Sequence, residues 1–110
     1  MNSKQFLKYL DRDRGCVHCG DIATAVPHHR LNRGMGGSKK RDVPSNIVAL
    51  CATVNGLVES DTEWLLLARE MGWKLRAGDN PASAPCWNGN LQEWVLLGDD
   101  MSATSVRGVA

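Results

Sequence analysis

Residues 26–46 read VPHHRLNRGMGGSKKRDVPSN, and the fold turns on how this stretch is interpreted. Two runs of β-type residues flank its middle. IATAV (22–26) leads into the adjacent His28 and His29, and NIVALC (46–51) is a second run of β-branched and apolar residues. Between them, Arg30 to Pro44 contains three glycines, a serine and a proline, with no periodicity, and reads as a loop. The loop is strongly basic. From His28 to Arg41 there are five cationic residues, Arg30, Arg33, Lys39, Lys40 and Arg41, and no acid. The next stretch, Asp42 to Glu70, holds five acids against one base. The net charge of +1 hides this asymmetry, and a local basic patch matters more to a polyanion than the sum does.

Upstream, CVHCG places Cys16 and Cys19 in a tight turn. It follows a short helix that Ser3 can cap, with Phe6, Leu7 and Leu10 on one side and Gly15 at its end. Downstream, a helical region begins near Val54. Ser60 and Glu63 form a capping box for a further helix, which runs to Met71 and stops at Gly72. Trp64, Leu65, Leu67, Ala68 and Met71 form its buried stripe. A hairpin is expected between 84–87 and 92–97, turning at Asn88-Gly89 or Gly89-Asn90. The reading is an α+β fold: one domain over residues 1–98 with its core at 16–72, and a flexible tail at 99–110.

At 110 residues the chain can bury only a small core, which a metal staple would help. No apolar run approaches the ~20 residues of a membrane span, and the N-terminus lacks a signal-peptide core. A cytoplasmic protein is expected. In that compartment four cysteines point to metal binding or free thiols rather than disulfides.

Asn55 lies nine residues after Asn46, and Glu59 four after Asn55, on one helix face. If the two strands pair and the helix crosses them, His28, His29, Asn55 and Glu59 converge. Phosphodiester hydrolysis needs a base for water and a cation for the developing charge. Histidine suits the first, and a histidine, an amide oxygen and a carboxylate suit the second. Taken singly, each residue has a plainer reading: Asn46 as a turn residue, Asn55 as a helix cap, Glu59 as a solvated glutamate, the basic loop as a solvated loop. The tryptophans read as packing residues.

Together, CVHCG, VPHHRLNRGMGG, PSNIVALC and VNGLVES over residues 16–59 resemble the HNH endonucleases, with asparagine at the third motif position, and the C-terminal segment resembles small HNH proteins of tailed phages. The resemblance implies a ββα-metal core with an N-terminal helix and a C-terminal β-hairpin. It implies nicking of double-stranded DNA, beside a phage terminase in DNA packaging. His29 would be the general base and Asn46 would bridge the loop and orient it. His28, Asn55 and Glu59 would hold one catalytic Mg²⁺ or Mn²⁺, a site that Zn²⁺ or Ni²⁺ could fill in a crystal. Arg30, Arg33, Lys39, Lys40 and Arg41 would contact DNA. Cys16, Cys19 and Cys51 match three of the four thiolates that hold structural zinc in many HNH proteins, but the fourth position is Val54. Either a substitute completes that site or the domain folds without zinc. The alternative function is a zinc-knuckle-like DNA-binding module that has lost catalysis.

Overall fold

The computed structural model describes residues 1–32 and 41–106. Among them are three helices and two small antiparallel sheets, an α+β architecture. Arg33, Lys39 and Lys40 lie outside the described residues, as do Gly34, Gly36, Gly37 and the last four positions.

Helix α1 spans Ser3–Asp13, and Asn2 rather than Ser3 caps it, in a reciprocal box with Gln5. The expected apolar side is rotated. Leu7 is 60% exposed, while Tyr9 and Asp13 are buried. Polar anchors set this rotation. Asp13 accepts the Ala49 N–H at 2.9 Å, and Arg12 pairs with Asp13 and donates to the Pro44 carbonyl at 2.8 Å.

Strand β1 (Ala25–His29) starts later than the expected run at 22–26 and takes in both histidines. It pairs antiparallel with β2 (Ile47–Cys51), His28 opposite Val48 and His29 opposite Ile47. Every residue of β2 is buried, which explains its unbroken apolar sequence. Helix α2 (Ala52–Ser60) follows at once and packs across both strands. Helix α3 (Thr62–Glu70) is capped by Asp61, whose carboxylate accepts the Trp64 N–H, and not by Ser60. Asp61 wins because Ser60 is still the last residue of α2, where its hydroxyl bonds back to the Gly56 carbonyl.

The second sheet orders β3 (Cys86–Asn88), β4 (Glu93–Leu97) and β5 (Ala103–Ser105). The β3–β4 hairpin is as expected, with Trp87 opposite Trp94. Strand β5 overturns the flexible tail over that stretch: Ala103–Ser105 complete the sheet against β4. Val48 and Leu50 of β2, Val54 and Val58 of α2, Ala68, Trp73, Val95 and Leu97 close one core. No described helix is long and apolar enough to cross a membrane.

Candidate functional site

Strand alternation separates the two histidines. His28 points under α2 and is 3% exposed. Its Nε2 lies 2.8 Å from the Trp73 carbonyl oxygen and its Nδ1 lies 2.9 Å from Asn55 Oδ1. The Trp73 carbonyl arrives there because α3 turns at Gly72, whose φ is +75° and where a Cβ would collide with the Pro85 carbonyl.

This geometry defines the chemistry of His28. Nε2 must carry a proton to donate to the carbonyl, so a neutral ring bears its lone pair on Nδ1, facing another oxygen. Burial lowers the His28 pKa, against the upward pull of the bonds with Asn55 and Trp73 and of Glu59, so the protein disfavours a second proton. Turning the Asn55 amide over would let Nδ2 donate instead. A cation between the two would satisfy both. Neighbouring ligands of an octahedral ion with bonds of about 2.1 Å stand about 3.0 Å apart, close to the spacing seen. The carbonyl that fixes the tautomer is the usual outer partner of a ligating histidine. The 2.9 Å spacing is that of a hydrogen bond with the amide turned over and also that of two neighbouring ligands, so His28 and Asn55 could hold a cation.

Glu59 does not touch His28. It shares the helix face of Asn55, but its Oε1 lies 2.9 Å from Lys74 Nζ, which also donates to Asn32 Oδ1 at 2.6 Å. Lys74 is itself buried, so Glu59 serves as its counter-ion.

His29 faces the other way and is about a quarter exposed, with Nε2 2.6 Å from Asp42 Oδ1. That bond leaves Nδ1 as the free nitrogen when the ring is neutral. Asn46 is buried. It accepts the Leu31 N–H at 2.8 Å and donates to the carbonyls of Leu31 (3.0 Å) and Arg41 (2.9 Å), so it clasps both ends of the segment between them.

Arg30 is not available to DNA. It is fully buried, and its guanidinium donates to four backbone carbonyls, of Gly72, Ser45, Pro81 and Ala84, at 2.7–2.9 Å. It ties the chain after α3 to the hairpin. Arg41 remains partly exposed.

Cys16, Cys19 and Cys51 bring their sulfurs within 4.8 Å of one another. Zinc–thiolate bonds of about 2.3 Å in a tetrahedron put sulfurs about 3.8 Å apart, so the trio could bind a metal such as zinc. Cys51 also caps α2, its sulfur accepting the Val54 N–H at 3.5 Å. For Cys19, a bond from the Asp21 backbone favours the thiolate, but burial and the crowding of Cys16 and Cys51 outweigh it and push the thiol up to about 11. A bound cation would reverse that balance. Among the described residues no fourth His, Cys, Asp or Glu joins them. Val54 is in the core, the His18 ring packs edge-on against Trp64 and Trp73, and Cys86 is buried outside the trio.

The residues missed from sequence were Trp73, Lys74 and Asp42. Trp73 acts through its carbonyl, which no side-chain pattern announces. Lys74 stands alone among apolar neighbours, the one cue to a buried cation. Asp42 is the first acid after the basic run. No family model, curated protein or solved structure matches the chain.

Proposed function

We propose that this chain is a metal-dependent HNH endonuclease with a ββα-metal core, which nicks double-stranded DNA by hydrolysing its phosphodiester bonds. The observation that carries the reading is the contact of His28 with Asn55. A hairpin and the helix that follows it bring a nitrogen lone pair and an amide oxygen together at the spacing of two metal ligands. His28 and Asn55 would hold Mg²⁺ or Mn²⁺, which when bound supplies positive charge to the phosphorane and the leaving 3′ oxygen. His29 takes the proton of the attacking water on Nδ1, while Asp42 holds the ring through Nε2 and steadies the imidazolium that forms. Asn46 ties Leu31 to Arg41 at the His29 end of the hairpin. The reading requires a phosphate at the end of β1 within reach of His29, while His28, buried under α2, would act only through the cation.

A second reading is a zinc-knuckle-like DNA-binding module without catalysis. It is favoured by the three thiols, which already stand together while His28 and His29 point apart.

Plasmid nicking with Mg²⁺ or Mn²⁺ separates the two. Wild type should nick in a metal-dependent way, and His29→Ala should lose about 10²–10⁴-fold. DNA binding with no cleavage above His29→Ala selects the module. Zinc content of wild type against Cys16→Ser tests the thiolate site, and a metal-free wild type would leave it vacant of function.

A further inference from the structure

A groove runs beside the Lys74–Glu59 pair, between the Leu31–Asn32 corner, Arg41, the last turn of α3 and the chain from Lys74 to Ala77. Arg41, Arg69 and Arg76 line it together with Lys74. Arg69 and Arg76 are exposed and Arg41 is half-buried. Among the described residues none of these three arginines has a carboxylate within ion-pair distance, whereas Lys74 is met by Glu59. The nearby Asp79 takes the backbone N–H of Arg76 at 2.8 Å. The buried arginines of the fold, Arg12 and Arg30, are spent on carbonyls and on Asp13. The three groove arginines serve no such purpose, and gathered together they repel one another until an anion enters.

We propose that this groove is a docking surface for the phosphates of a nucleic-acid backbone, with Arg69 and Arg76 as its principal contacts and Arg41 beside them. The cations come from three separate chain segments and do not converge on one buried point, which suits successive phosphates better than a single ion. Guanidinium forks bind phosphate oxygens in pairs. The choice of DNA as occupant rests on the nuclease reading. Lys74 links the two regions, because its ammonium holds Glu59 on the helix face of Asn55.

The test is binding of a short labelled duplex to the full chain in EDTA, followed by fluorescence anisotropy between about 50 and 200 mM salt. Arg69→Ala/Arg76→Ala is compared with wild type and with the charge-matched Lys4→Gln/Lys8→Gln on α1. The groove variant should bind about tenfold or more weakly, and its log K against log salt should flatten by about 2, near 0.9 per phosphate contact. The α1 variant should keep the wild-type slope. An unchanged slope in the groove variant, or equal losses in both variants, overturns the proposal. So does displacement of the duplex by inorganic phosphate at matched ionic strength, which would mark a single-anion site. Plasmid nicking is scored separately. Wild type that binds with the expected slope change but never nicks sinks the nuclease reading and leaves the groove standing. Nicking with no slope change does the reverse.

Discussion

On the face of the β1–β2 hairpin that α2 covers, His28 is enclosed between a backbone carbonyl and an amide oxygen. On the opposite face His29, the next residue, keeps about a quarter of its side chain in water and leans on one carboxylate. The first ring is positioned by the fold itself, through a carbonyl that the Gly72 turn delivers. The second is positioned by a single side chain at the surface. One histidine is therefore part of the core's polar accounting, while the other can be altered with local consequences.

The largest expected difference is in stability. His28→Ala leaves the Trp73 carbonyl unpartnered and opens a void under α2, which should cost about 2–4 kcal/mol in urea unfolding. His29→Ala should cost less than about 1 kcal/mol. Equal losses would break the contrast between the faces. Next in size are the outer partners. Asp42→Asn should slow nicking at least about tenfold with the Mn²⁺ activation midpoint unmoved, because its carboxylate holds the base. Asn55→Ala should shift that midpoint upward by about tenfold or more. If Asp42→Asn moved the midpoint too, the two faces would share the metal.

The smallest effect is a pH dependence. Burial holds the His28 pKa below the usual 6.5 or so in the folded protein. Above that value neither state is protonated and the full stability is present. As pH falls below it the unfolded chain takes a proton that the folded chain refuses, so stability drops until the folded value is passed. Urea midpoints in EDTA should therefore fall from about pH 7.5 to 5, by at most about 1.4 kcal/mol per unit from this group. His28→Ala should lose that component and His29→Ala should retain it.

Local and periodic signals in the sequence located α2, α3 and the β3–β4 hairpin, and the resemblance to HNH proteins grouped the three thiols. What they could not show was direction. That His28 and His29 separate follows from β1 starting at Ala25 rather than at Ile22, and strand starts depend on pairing with a distant segment, here Cys51 opposite Ala25. Arg30 looked like its basic neighbours, because charge does not reveal that four carbonyls from three other segments surround it. Phe6, Leu7 and Leu10 share one apolar side, but the buried Asp13 and its bond to Ala49 turn the helix so that Leu7 is exposed. Ala103–Ser105 are small and polar, and they form a strand only because β4 offers an edge.

The Asn46 clasp bears on how this protein can be re-engineered. One amide side chain grips Leu31 by both its N–H and its carbonyl, and Arg41 by its carbonyl. The hairpin thus ends at a mouth held by Asn46, the residue just before β2. A segment exchanged between those two anchor points should leave strand register and core untouched. That makes the positions between Asn32, which holds Lys74, and Arg41, which Asn46 holds, a cassette whose length and charge should be exchangeable with the hairpin kept.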